Sequence, residues 1–318
     1  MRNFPIFDAH ADTISHLYET GQSLNGNNAQ IDLSHRVRKH AQFFALWGHP
    51  YEKLIDVFKR ELETNKNSIV LCKSSQDAQY AWENGKLAAF LSIEGADALN
   101  CQVNMLDMVR SDGISMIGLT WNHANILCGS CMEEPERGLS AKGIDFVRRT
   151  FELGMSIDLS HAGAAAICDV ITIANKVKGV VVFSHSNSQK VCEHPRNITD
   201  KQFISICELN GIVGLNLYTY FVNNASMATW QDVVVHLEHW ISLGGENTIA
   251  LGGDWDGVYN DDGTYNMVGD AKGVDSYGVL YDILIKRGWA SIQIEKLFYK
   301  NMTRMIDSCT TQAPVIIQ

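Results

Sequence analysis

Apolar residues in this chain gather in short, often β-branched runs, each followed by a polar turn and then by a stretch with apolar positions at helical spacing. Eight runs predict strands, at residues 4–9, 42–47, 87–93, 115–120, 155–159, 180–184, 212–217 and 249–252. The intervening periodicity predicts helices at 51–65, 105–111, 141–153, 163–175, 200–209 and 229–243, with two more at 276–287 and 292–307 after the last strand. Gly113, Gly154, Gly179, Gly211 and Gly244 or Gly245 each follow a helical stretch and precede a strand, where a left-handed cap favours a residue without Cβ. Eight strands alternating with helices predict an α/β fold, a (β/α)8 TIM-like barrel, in preference to an open doubly wound sheet. No repeat, like-charge run or Pro/Gly/Ser linker divides the chain, so residues 1–318 read as one barrel domain.

Composition narrows the function without changing the fold. The 318 residues are 46% hydrophobic and 19% charged, as in a folded globular protein. Lys plus Arg is 26 against 36 Asp plus Glu, a net charge of −10 that argues against nucleic acid or anionic membrane as a partner. No apolar run reaches the length of a membrane helix, and the first residues lack the charged, apolar and cleavage regions of a secretory signal. The expectation is a cytoplasmic protein whose eight cysteines stay reduced and whose Asn-x-Ser/Thr sequons, at Asn197, Asn224 and Asn301, go unused.

The chemistry lies where strands end. In a barrel of this kind reactive groups gather at the carboxyl ends of the strands. Those ends here lead into His10 and Asp12, Glu94, Trp121-Asn122-His123, His161, His185, Tyr218 and Asp254. In His10-x-Asp12 the two side chains share a facing along an extended segment, so an imidazole and a carboxylate can grip one cation. His161 and His185 leave adjacent strands and can meet over the barrel mouth, with Glu94 able to bridge. Three imidazoles with two or three carboxylates form a borderline ligand set suited to zinc, with Co2+ or Mn2+ as substitutes, and poorly suited to calcium.

Ordered motifs run the whole length: FDAHADT at 7–13, SIEGADAL at 92–99, GLTWNHAN at 118–125, RGLSAKG at 137–143, GMSIDLSHAG at 154–163, VVFSHSN at 181–187, HPRNITD at 194–200 and LGGDWDGV at 251–258. With them the chain resembles the membrane dipeptidase (renal dipeptidase) family of zinc metallopeptidases, in its bacterial, unanchored form. The resemblance implies two Zn2+ per subunit, one held by His10 and Asp12, the other by His161 and His185, with Glu94 bridging both. It implies that Arg196 holds the C-terminal carboxylate of a small dipeptide, that Asp254 is the acid/base, and that Tyr218 touches substrate. The implied reaction is hydrolysis of dipeptides, including those with a D-residue second, by a metal-bridging hydroxide, in a homodimer.

One departure stands out. Animal members carry a substrate-binding His directly after the Leu-Thr of the fourth strand, where this chain has Trp121. Either His123, two positions on and sharing that facing, supplies the imidazole near the carbonyl oxygen, or Trp121 narrows the substrate range. The alternatives to a dipeptidase are a barrel hydrolase of another amide or lactone and a binding homologue without activity. Cys128 and Cys131 read as an incidental pair, and Asp256, Asp261 and Asp262 as solvated loop charges.

Overall fold

In the computed structural model, which describes residues 4–35, 39–224, 227–260 and 262–310, the apolar runs form parallel strands. They are β1 Ile6–Asp8, β2 His40–Leu46, β3 Ile69–Leu71, β4 Leu87–Ile93, β5 Ile114–Gly118, β6 Ser156–Asp158, β7 Val181–Phe183, β8 Ile212–Leu215 and β9 Ile249–Leu251. The ladder β1-β2-β4-β5-β6-β7-β8-β9 closes on itself: β2 pairs with β4 from Ala41↔Ala88 to Leu46↔Ile93, and β9 returns to β1 at Asp8↔Leu251. The protein is a closed eight-stranded (β/α)8 barrel. β3 is a ninth, accessory strand, paired with Leu87 to Ala89 at the start of β4.

Helices follow the strands: α1 Thr13–Thr20, α2 Tyr51–Thr64, α3 Ser75–Glu83, α4 Leu106–Asp112, α5 Ala141–Glu152, α6 Ala164–Val177, α7 Asp200–Glu208, the single turn α8 Thr219–Val222, α9 Trp230–Ser242, α10 Tyr277–Lys286, α11 Ser291–Glu295 and α12 Asn301–Thr310. Local chemistry starts several of them. Thr199 accepts from the Gln202 amide while the Gln202 side chain accepts from the Thr199 amide, a capping box that begins α7, and Thr229 with Asp232 does the same for α9. The stretch predicted as one helix over 292–307 is α11 and α12 joined by a π-helical turn at Lys296–Lys300. No described helix is long and apolar enough to cross a membrane.

Side chains alternate across each strand. Leu87, Ala89, Leu91 and Ile93 of β4 pack under the helices, whereas Ala88 and Phe90 pack in the barrel interior. Phe7, Phe43 and Phe90 stack there with ring centroids 4.9–6.0 Å apart, and Met302, Met305 and Ile306 of α12 join the same cluster. The same parity carries the next groups up the barrel, Ser92, Glu94 and Asp158, toward its carboxyl end.

Gly113, Gly154 and Gly244 adopt the expected left-handed conformation. At the other two seams Lys178 and Asn210 take it, one residue earlier, with φ of 62° and 54°. Gly179 and Gly211 are instead required by packing: a Cβ would fall 2.7 Å from the Phe151 ring and 2.6 Å from the Val181 carbonyl oxygen.

Candidate metal centre and active site

The carboxyl ends of five barrel strands bring titratable side chains to one point. His10 and Asp12 leave β1, Glu94 leaves β4, His161 leaves β6, His185 leaves β7, and Asp254 leaves β9, all buried. Glu94 sits centrally with its two oxygens turned to different partners. Oε1 is 2.7 Å from His161 Nε2 and 3.5 Å from His185 Nε2, while Oε2 is 3.4 Å from His10 Nε2. His10 Nε2 is also 3.5 Å from Asp12 Oδ2 and 3.8 Å from Asp254 Oδ1. The ligand atoms form three overlapping groups within 4.8 Å: His10, Asp12 and Glu94; Glu94, His161 and His185; and His10, His185 and Asp254.

This arrangement can hold metal ions. His161 Nε2 and His185 Nε2 are 3.1 Å apart, and His10 Nε2 and Asp12 Oδ1 are buried without a hydrogen-bond partner. Left to protons alone the cluster is electrostatically awkward. Burial lowers the pKa of His161 and of His185 well below the usual imidazole range. Burial pushes Glu94 up to about 7. Burial also opposes protonation of His10, yet the neighbouring Glu94 and Asp12 carboxylates outweigh it and raise its pKa well above normal. Divalent cations held among these ligands would keep the imidazoles neutral and the carboxylates ionised.

The other ring nitrogens are held from behind. Ser184 Oγ donates to Asp158 Oδ2 (2.5 Å), so it accepts from His185 Nδ1 (2.7 Å), leaving the His185 Nε2 lone pair toward the cluster. His161 Nδ1 donates to Asn122 Oδ1 at 3.0 Å with the same result. Gly214 and Gly252 make room for this layer: a Cβ on either would fall within 2.0 Å of the Ser184 carbonyl oxygen. Asp8, buried below, accepts from the His10 amide, Gln42, the Gly253 amide, Trp255 and Tyr277, tying the ends of β1 and β9 together.

Asp254 adopts φ +64°, a left-handed conformation that costs a non-glycine residue about 1 kcal/mol. Its Oδ2 accepts from Asn216 Nδ2 at 2.9 Å, which leaves Oδ1 toward His10. Burial raises its pKa above the usual carboxylate value.

Asp12, Glu94, His161, His185 and Asp254 border a cavity of about 330 Å³ also lined by Trp47, Trp121, Arg196, Tyr218, Phe221 and Tyr259. Arg196 is 4% exposed; its Nη2 donates to the His185 carbonyl oxygen at 3.4 Å, its guanidinium lies 5.4 Å from the Phe221 ring centroid, and its Nη1 is buried with no partner. Tyr218 is half-buried at the wall, 4.8 Å from Phe221. Trp121 flanks His161, ring centroids 6.2 Å apart, and leans on Trp47 at 5.0 Å.

His123 is the one sequence-predicted residue that does not converge on this cavity. Its side chain is 81% exposed, its Nδ1 is 3.4 Å from Glu133, and it lines the neighbouring cleft. The equal facing expected of residues 121 and 123 requires extended chain, but β5 ends at Gly118 and residues 121–123 bend. Asn122, between them, is the residue that reaches His161.

Asp256 also departs from expectation. It is buried, 3% exposed, and accepts from Thr13 Oγ1, the Gln30 amide and Tyr265 Oη, tying the last loop to the start of α1. Asp262 is exposed as expected; Asp261 lies outside the described residues. Cys128 and Cys131 are free thiols.

Residues 1–315 match the family described as Membrane dipeptidase (Peptidase family M19). A Klebsiella pneumoniae protein described as an uncharacterized protein in the pqqA 5' region is 30% identical over 266 residues, covering 80% of this chain and 94% of that one. The crystal structure of a metallo peptidase from Rhodobacter sphaeroides, liganded with a phosphinate mimic of the dipeptide L-Ala-D-Ala, superposes with a TM-score of 0.85 at 20% identity, over 97% of this chain and 100% of that chain. The probable dipeptidase PvdM from Pseudomonas aeruginosa superposes at 0.84 with 17% identity, over 98% of this chain and 96% of that one.

Proposed function

This chain belongs to the membrane dipeptidase family, peptidase family M19, and from that premise we propose that it is a two-zinc dipeptidase that reads the free C-terminal carboxylate of its substrate. The observation that carries the reading is the double facing of Glu94, with Oε1 toward His161 and His185 and Oε2 toward His10, in a cavity that also contains a buried guanidinium group lacking a partner. His10 and Asp12 would hold one ion, His161 and His185 the other, and Glu94 both. When bound, the ions supply Lewis-acid activation of water and of the scissile carbonyl.

The chain's own residues do the rest. A buried cation without a counter-charge is costly, and a planar carboxylate would satisfy the Arg196 fork. That contact fixes the free C-terminus one residue from the scissile bond. It reads the carboxylate rather than the configuration of the carbon bearing it, so a D-residue at the second position is accepted. Asp254, held by Asn216 through Oδ2, takes a proton at Oδ1 and returns it to the leaving amine. Trp121 and Tyr218 wall the substrate. The test is zinc-loaded and chelator-stripped protein assayed on L-L and L-D dipeptides with a C-amidated control. Zinc-dependent release of amino acids, with the amide resistant, supports the reading; equal cleavage of the amide contradicts the role of Arg196.

A further inference from the structure

A second cavity, of about 680 Å³, adjoins the first and shares Trp47, Glu94 and Trp121 with it. Its remaining walls come from the segments after β2, β4 and β5, among them Pro50, Glu52 in the first turn of α2, Asp97 and Ala98. The order of strands around the barrel fixes where this chamber lies relative to Arg196. Counting β1-β2-β4-β5-β6-β7-β8-β9, the strand diametrically opposite β7 is β2. Arg196 follows β7, and Trp47 follows β2. A dipeptide whose carboxylate rests on Arg196 and whose carbonyl lies over Glu94 therefore directs its first residue toward the Trp47–Trp121 wall and the chamber beyond.

The chemistry of the chamber is specific. The two indoles, 5.0 Å apart, offer apolar cover for methylene groups. The exposed carboxylates of Glu52 and Asp97 also line the chamber, together with His49 and His123, and among the described residues no Lys or Arg does. Asp97 accepts from Asn125 Nδ2, and Glu52 makes no ion pair among the described residues. We propose that this chamber is a binding site for a long N-terminal side chain ending in a cation, so that the preferred substrates are dipeptides with Lys or Arg first. The inference rests on the dipeptidase reading and goes beyond it by naming the substrate class.

The test compares Lys-Ala, norleucyl-Ala, Ala-Ala and Glu-Ala on the zinc-loaded protein and on its Glu52→Lys variant. Covering the methylene groups predicts kcat/KM about tenfold higher for norleucyl-Ala than for Ala-Ala. The terminal charge adds about two- to fivefold for Lys-Ala, a gain that shrinks in high salt, and Glu-Ala falls below norleucyl-Ala. Glu52→Lys removes or inverts the Lys-over-Glu ratio. Binding gives an independent readout: tryptophan fluorescence of chelator-stripped protein should respond to Lys-Ala at lower concentration than to Ala-Ala. Hydrolysis of Ala-Ala with no gain for Lys-Ala, or a ratio unmoved in the variant, overturns this inference and leaves the dipeptidase reading standing. Hydrolysis of none of the four overturns both.

Discussion

Replacing Asp158 by Asn would reverse a hydrogen-bond chain that ends on His185. A carboxylate only accepts, so Ser184 Oγ must give its single proton to Asp158 Oδ2 and accept from His185 Nδ1. Asp158 Oδ1 already accepts from the Ser160 amide, Ser160 Oγ and the Ser184 amide, so the oxygen of the new amide would stay on that side and its NH2 would face Ser184. The Ser184 hydroxyl would then accept from that NH2 and turn its own proton toward Nδ1, driving the His185 proton onto Nε2, the atom nearest Glu94 and His161. Loss of such outer-shell support costs about 10- to 100-fold in metal affinity, or about 1.4–2.7 kcal/mol. The assay is competition for zinc against a chelator of known affinity, alongside the nitrogen chemical shifts of His185 in metal-free protein. The expected result is tighter zinc binding by wild type, with Nδ1 protonated in wild type and Nε2 protonated in the variant. Unchanged affinity together with an unchanged tautomer would refute the reasoning, and Ser184→Ala, which removes the relay without inverting it, should weaken zinc while leaving no fixed tautomer.

Three further outcomes are expected. Arg196→Met should lower kcat/KM on Ala-Ala by about 30- to 1000-fold, the 2–4 kcal/mol typical of removing one partner of a buried charge pair, chiefly through KM, as steady-state kinetics would reveal. Asp254→Asn should reduce turnover about 10²- to 10⁴-fold with two metal ions retained; elemental analysis showing a lost ion would make Asp254 a ligand instead, as its 3.8 Å approach to His10 permits. His236, buried between the Ser188 amide and the Val222 carbonyl oxygen, has its pKa lowered by burial from 6.5 to about 4. The unfolded chain therefore takes up this proton first as pH falls, so the stabilisation is complete above pH 6.5 and is lost toward pH 4, by about 3 kcal/mol. Denaturant titrations of chelator-stripped His236→Gln at about pH 7 and about pH 4.5, either side of the ordinary imidazole pKa, should give a shallower pH dependence than wild type, and an equal slope would sink the assignment.

The barrel is legible because its strands announce themselves as apolar runs between polar turns. β4 appears with its observed ends, since Ala88 and Phe90 face the interior while Leu91 and Ile93 face helices, leaving no polar gap. β3 escapes notice: at three residues it pairs only with the lower part of β4 and contributes nothing to closure. α1 begins directly after Asp12, inside the candidate metal-binding motif, and its buried face is Thr13 and Ser15 as much as Ile14 and Leu17. α3 buries Ala78, Ala81 and Trp82, too little contrast for a clear periodic signal.

The candidate ligands stand out because each is a titratable group ending an apolar strand. Asn122, Asn216, Ser184 and Asp158 carry no comparable signal; their roles depend on neighbours up to 39 residues away, as with Asn122 and His161. Asp256 misleads for the opposite reason, since its sequence surroundings are those of a solvated loop while its actual partners, Thr13 and Gln30, come from the other end of the chain.

The most direct measurement is a titration of chelator-stripped protein with zinc while hydrolysis of Ala-Ala is followed. A site in which Glu94 serves two ions predicts that activity depends on zinc and reaches its plateau at two equivalents per chain, with Ala-Ala amide remaining uncleaved. Full activity in stripped protein, a plateau at one equivalent, or two bound ions with no hydrolysis of a dipeptide would contradict it.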